Sequence, residues 1–252
     1  MTELLTVRAV HKSYRRGERR LRVLEDVSLT VAAREIVAVL GSRYEGKTTL
    51  LKLAAGLERP DAGEVWFAGR ELGSLRARER ERLLGDEIAW IDSEGTGLEF
   101  EVLDYVGLPL RMRCGARDAD DRAMTALERV EVPDIARRRW AELSNWERVL
   151  AAFARAIASA PRLMVVDDVL DGLGMSKTRE ASELLCSLVQ ELGCGVLMSA
   201  SDIEAALLAD QVWSFDQRTL RPISDQGGGE ADIIDFPRGG FDRGRGSRGT
   251  GS

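Results

Sequence analysis

Between residues 3 and 31 apolar and polar positions alternate with a period of two. Leu5-Thr6-Val7-Arg8-Ala9-Val10, Val23-Leu24 and Val27-Ser28-Leu29-Thr30-Val31 read as strands around a basic turn, Arg15 to Arg20, with Tyr14 at the end of the first. The pattern then changes. Glu35 to Leu40 is a nearly unbroken apolar run, Gly41 to Thr49 is a loop bounded by glycine, and Thr49-Leu50-Leu51-Lys52-Leu53-Ala54 has helical spacing that stops at Gly56. Pro60-Asp61-Ala62-Gly63 is turn chemistry, followed by a short strand over Glu64-Val65-Trp66-Phe67, a charged helix over about Ser74 to Leu84, and a strand over Ile88-Ala89-Trp90-Ile91.

From Asp92 to about Ala160 the spacing becomes mostly helical. Glu101 to Met112 and Asp118 to Val130 predict two helices, and Ser144 opens a third that ends before Pro161. Strand character returns in Leu163-Met164-Val165-Val166, Gly195-Val196-Leu197-Met198 and Gln211 to Phe215, separated by helices at about 176 to 192 and 202 to 209. Strands alternating with helices predict an α/β fold whose mostly parallel sheet is covered on both faces. The expected architecture is this mostly parallel core with N-terminal antiparallel strands and an inserted α-helical subdomain at about 92–160. Residues 226–252, rich in Gly, Arg and Asp, lack the apolar surface to order themselves and are expected to form a flexible tail after a domain spanning 1–225.

Composition narrows the function classes. A net charge of -6 argues against general nucleic-acid binding, which needs a basic face, although the Arg-Gly clusters of the tail resemble RNA-binding segments. No apolar run reaches the length of a membrane helix, and MTELLTVRAV lacks a signal-peptide core, so a cytoplasmic chain is expected. Cys114, Cys186 and Cys194 have neither metal nor redox spacing and read as reduced thiols.

The candidate chemistry lies in Gly41 to Thr49, GSRYEGKTT, a match to G-x-x-x-x-G-K-[ST] placed between a predicted strand and a predicted helix. Backbone N–H groups and a helix N-terminus converge there on an anion. Lys47 would reach the outer phosphates of a nucleotide, and the Thr48 hydroxyl would be a ligand of Mg2+. The free positions Ser42, Arg43, Tyr44 and Glu45 suit a triphosphate poorly. Tyr44 lacks glycine's freedom at positive φ, and Glu45 carries negative charge toward phosphate unless it turns to solvent or pairs with Arg43.

Around this loop the chain resembles the ATP-binding subunits of ABC transporters. The resemblance rests on VLEDVSLTV before the loop, TTLLKLAAGLERPDAGEVWFAGREL after it and ARAIASAPRLMVVDD beyond the third helix, and covers about residues 3–222. GLEFEVLDYVGLPLRMR is most similar to the lipoprotein-releasing and macrolide-export branch. The resemblance implies a P-loop NTPase core that binds Mg-ATP and couples to a transmembrane permease at the inner face of the cell membrane. It also implies a homodimer or heterodimer with another ATP-binding subunit, in which the loop of one chain faces the signature motif of the other.

Carried over position by position, the resemblance gives Tyr14 the adenine-stacking role and gives Gly41, Gly46, Lys47, Thr48 and Thr49 the phosphate loop. Asp167 takes the metal-holding aspartate, and Asp168 stands where a glutamate polarises the attacking water. Aspartate is one methylene shorter, and a displacement of that size costs on the order of a hundredfold in rate. The signature, LSGGQ in the family, reads Leu143-Ser144-Asn145-Trp146-Glu147, where Asn145 and Trp146 obstruct the approach that two glycines permit. Ser144-x-x-Glu147 also spells a helix capping box, which makes Ser144 a cap before it is a phosphate ligand. The Q-loop glutamine aligns near Ser93, the D-loop aspartate with Gly174 rather than Asp171, and the switch histidine with Ser201. His11, the single histidine, lies too near the N-terminus to substitute. The expectation is therefore an ATP-binding transporter subunit with weak or lost hydrolysis; the alternative is a non-hydrolysing pseudo-ATPase that serves as a structural or regulatory partner of a membrane protein.

Overall fold

The N-terminal alternation forms one long hairpin. In the computed structural model, which describes residues 3–92 and 100–223, β1 (Glu3–Arg16) and β2 (Arg19–Ala32) pair antiparallel along their length. The turn between them is only Gly17-Glu18, with Gly17 at φ 64, so most of the predicted basic turn lies in the strands, with Arg15 opposite Arg20. The interruption between Leu24 and Val27 is absorbed as an irregularity rather than a break. Ala9 at φ 46 and Asp26 at φ 53 lie at a register shift, and Ser28 Oγ accepts the Ala9 N–H at 2.8 Å.

The chain then runs through β3 (Ile36–Leu40), α1 (Lys47–Ala54), β4 (Ala62–Phe67), the two-residue β5 (Arg70–Glu71), α2 (Ala77–Asp86) and β6 (Ile88–Asp92). Helices α3 (Val102–Cys114), α4 (Ala116–Arg129) and α5 (Asn145–Ala158) follow. Next come β7 (Leu163–Asp167), α6 (Met175–Leu192), β8 (Gly195–Ala200), α7 (Ile203–Ala206), β9 (Gln211–Asp216) and β10 (Thr219–Pro222). The strands β5 and β10 carry no sequence signal because two and four residues are too few to show a period. α2 starts three residues later than its pattern suggests, because Ser74 Oγ donates to Glu71 O at 2.8 Å and keeps that stretch in a turn. The helix expected over 202–209 is a single turn capped by Asp202, whose carboxylate accepts the Ala205 N–H at 3.0 Å.

Two sheets result. One is antiparallel, in the order β2-β1-β4-β5, and the other has the order β10-β9-β3-β8-β7-β6, parallel except for the β9–β10 edge pair. The period of two in the central strands separates two cores. Ile36, Ala38, Met164, Val166, Val196 and Met198 face one that also holds α3, α4, α5 and α6. Val37, Val39, Leu163, Val165 and Leu197 face the other, where Leu50, Leu51 and Leu53 of α1 meet the antiparallel sheet. Strands buried on both faces need apolar residues at every position, which is why β3 and β7 read as continuous runs. The carboxyl ends of β3, β7 and β8 open on the same edge, the place where open α/β sheets hold ligands. Ser93 and the tail at 226–252 lie outside the described residues.

Candidate nucleotide-binding site

The glycine-bounded loop connects β3 to α1 as the apolar run and helical spacing require. Gly46 sits at φ 114 immediately before the helix, and a Cβ there would come within 3.0 Å of Leu24 and 3.1 Å of Val23. Glycine is needed for both conformation and space. Tyr44 adopts φ 70 with its side chain fully exposed, the strain foreseen for a non-glycine residue there. Glu45 is exposed, but among the described residues it does not pair with Arg43. Its carboxylate folds back over the loop and accepts the Ser42 N–H at 2.7 Å, lying where a side chain on Gly41 would have to be.

Lys47, the first residue of α1, is only 4% exposed, and its ammonium donates to Gly41 O at 2.5 Å. It also lies 3.8 Å from Asp168 Oδ1. The next residue, Thr48, donates its hydroxyl to Asp167 Oδ1 at 3.2 Å, joining the start of α1 to the end of β7. Burial raises the Asp167 pKa, and the nearby Asp168 charge adds to the rise; the hydroxyls of Thr48 and Ser199 and the charge of Lys52 oppose it. A carboxylate withdrawn from water in this way is stabilised by a cation. The donor set consists of a hydroxyl and carboxylates, the hard oxygens that Mg2+ prefers. Among the described residues no three or more His, Cys, Asp and Glu side chains gather to hold a metal by themselves.

Tyr14, at the end of β1, reaches the same edge from the antiparallel sheet. Its hydroxyl donates to Glu58 at 2.7 Å and lies 3.4 Å from Thr49 Oγ1, and the Lys12 ammonium stands 5.5 Å from its ring centre. Burial is the largest cause of its raised pKa, with Glu58 adding to it. Tyr14, Gly41, Gly46, Lys47, Thr48, Thr49, Asp167 and Asp168 are thus brought to one edge of the fold.

Ser144 is not among them. It is the N-cap of α5: its hydroxyl accepts the Glu147 N–H at 3.2 Å, and its own N–H donates to Glu147 Oε2 at 2.7 Å. Arg138 pairs with the same carboxylate. Backbone donation from Ser144, followed by its hydroxyl and then Arg138, holds the Glu147 pKa below the ordinary value. The neighbouring Trp146 packs against the helical core with the Lys177 ammonium 4.4 Å above its ring.

Sequence reasoning missed Ser199. This β8 residue, 3% exposed, accepts the Asp168 N–H at 2.7 Å and places its Oγ 3.1 Å from Asp167 Oδ1 and 2.9 Å from Asp168 Oδ1. The only signal for it is a lone hydroxyl inside an otherwise apolar strand. Ser201, the residue after β8, donates to Asp171, with its Oγ 2.6 and 2.7 Å from the two carboxylate oxygens.

Comparison with known proteins places these features in context. The family model described as "ABC transporter" matches residues 24–171. The lipoprotein-releasing system ATP-binding protein LolD of Ruegeria sp. (strain TM1040) is 32% identical over 219 residues, covering 86% of this chain and 96% of that protein. LolD of Cereibacter sphaeroides is 34% identical over 215 residues, covering 84% and 96%. Among solved structures, a dimeric ATP-binding cassette in a post-hydrolysis state with ADP and Pi superposes with a TM-score of 0.81 at 24% identity, over 89% of this chain and all of the other. The cbiO1 protein of Clostridium perfringens, part of an ABC transporter complex, gives a TM-score of 0.76 at 21% identity, with 87% of each chain covered.

Proposed function

The chain belongs to the ABC transporter family, and on that premise we propose that it is the ATP-binding subunit of a lipoprotein-releasing type of transport complex, binding Mg-ATP and hydrolysing it slowly or not at all. The observation that carries the binding half is the junction of Lys47, Thr48 and Asp167, which sets an ammonium, a hydroxyl and a buried carboxylate at one helix N-terminus. Lys47 and the N–H groups of the loop would hold the outer phosphates. Thr48 and Asp167 would hold Mg2+, whose positive charge would offset that of the phosphate oxygens. Tyr14 would lie against the adenine.

The weak-hydrolysis half is supported by what the chain's own groups do. Asp168 lies on the Lys47 and Ser199 side, Ser144 is engaged as a helix cap, and Ser201 replaces a histidine that could hold a proton. Among the described residues no helix is long and apolar enough to cross a membrane. Membrane attachment at the cytoplasmic face would therefore come through a permease, with a second ATP-binding chain, identical or different, closing the site. The alternative of a pseudo-ATPase partner is favoured by one observation, the reciprocal Ser144–Glu147 hydrogen bonds that close the helix end where a phosphate would be received.

Thermal melting with and without Mg-ATP tests the binding half. The expected result is a nucleotide-dependent rise in Tm that Lys47→Ala abolishes; no rise, and no effect of Lys47→Ala, would remove the nucleotide-binding reading. Phosphate release should be at least a hundredfold below that of a family member with the full motif set, about the cost of the misplaced carboxylate. Release at the full rate, abolished by Asp168→Asn, would remove the weak-hydrolysis reading.

A further inference from the structure

Position 199 is an interior position of β8, opposite Val39 in the parallel register and on the face that carries Leu197. A valine there would fill the core without polar atoms to satisfy, and a buried hydroxyl is retained only at a cost unless it is bonded. Ser199 is bonded both as donor and as acceptor. A hydroxyl has one proton and two lone pairs. One lone pair takes the Asp168 N–H, and the proton is shared between Asp167 Oδ1 and Asp168 Oδ1. Thr48 donates to the same Asp167 Oδ1. Two hydroxyls therefore fix one oxygen of Asp167, and among the described residues Oδ2 carries no recorded hydrogen bond. The same serine holds the backbone of Asp168, which sits at φ 49, and draws its carboxylate onto the sheet beside Lys47.

We infer that Ser199 is a positioning residue for the divalent cation: by fixing Asp167 Oδ1 it sets which carboxylate oxygen faces the metal and its waters. The inference rests on the Mg-nucleotide reading above. Groups that orient a metal-binding side chain without touching the metal change metal affinity by about 10–100-fold when removed. Ser199 has that relation to Asp167.

The experiment is a Mg2+ titration at fixed ATP, read as the rise in Tm, with a parallel melt of ATP in EDTA. Ser199→Ala is expected to raise the Mg2+ midpoint about tenfold or more, with the metal-free ATP shift unchanged. Ser199→Thr, which keeps the hydroxyl, should restore most of the midpoint. Ser182→Ala removes another buried hydroxyl, one bonded to Thr178 O at 2.9 Å within α6, and should leave the midpoint alone. If Ser199→Ala does not fold, Ser199→Cys decides, since its thiol keeps the size but is a weak donor; it too should raise the midpoint. A midpoint within twofold of wild type in the folded variant overturns the inference. So does an equal loss of the shift with and without metal, which would mark a role in the fold alone. A wild-type protein that gives no ATP-dependent shift at any Mg2+ concentration removes the nucleotide-binding reading itself, and this inference with it.

Discussion

Glu45 is the residue whose behaviour the loop's pattern left open. A carboxylate three positions after Ser42 can fold back on that residue's N–H, and here it does so at 2.7 Å, made possible by the absence of a side chain on Gly41. The contact orders a loop that lacks the usual glycines, but it keeps a negative charge beside the phosphate site. The two effects separate by substitution. Glu45→Gln keeps an oxygen acceptor and removes the charge, so Mg-ATP should bind about tenfold more tightly, roughly 1.4 kcal/mol. Glu45→Ala removes both and should tighten binding less. Calorimetric titration of the two variants checks this; weaker binding by Glu45→Gln than by wild type would show that the charge carries no penalty. Tyr44 offers no such compensation, as it holds φ 70 with nothing packed on its ring.

At the scale of an element, α5 opens on a structural cap. Its N-terminus is closed by Ser144 and Glu147 in reciprocal hydrogen bonds, and Arg138 anchors the carboxylate from outside the helix. The buried face of the helix, Val149, Leu150, Phe153, Ala154 and Ile157, then fixes the group in the helical core. Replacing Ser144 by Ala should cost about 1 kcal/mol. Folding favours the ionised form of Glu147, since its pKa lies below the ordinary 4.5. The sign follows directly: the contribution is complete above pH 4.5 and is lost as the pH falls through the depressed folded value. Glu147→Gln should therefore melt below wild type at neutral pH and lose less Tm than wild type on acidification below that point. Parallel Tm curves for the two proteins across that range would show that Glu147 does not act through its charge.

At the scale of the whole molecule, the departures that the resemblance leads one to expect lie on the phosphate loop, the end of β7, the end of β8 and the start of α5. The strands and helices that carry them are intact. Each composite site in the proposed dimer would take a loop from one chain and a signature from the other, and on the proposed reading this chain would be altered in both. Trp146, held to the core beneath Lys177, would on that reading stand where backbone approach is required. Mg-ATP is therefore expected to leave the isolated chain monomeric in light scattering. A mass that doubles on adding Mg-ATP would show that two copies close despite Trp146.

The pattern of apolar and polar residues by itself determined the alternation of strands and helices, the parallel core, the position of the phosphate loop and the capping box at Ser144. Each of these follows from neighbours within a few residues: a period of two or 3.6, a glycine before a helix, or a serine three residues before a glutamate. It also showed that the chain has a single histidine, His11. What only the tertiary structure decided are the contacts between distant segments. Ser199 meets Asp167 and Asp168 across 31 or 32 residues, Tyr14 meets Glu58 across 44, and Ser201 meets Asp171 across 30. These depend on strand order, β7 beside β8 and β1 above α1, which no local period encodes. A buried hydroxyl in an apolar strand could be seen in the sequence, but the carboxylate it serves became visible only when the two strands paired.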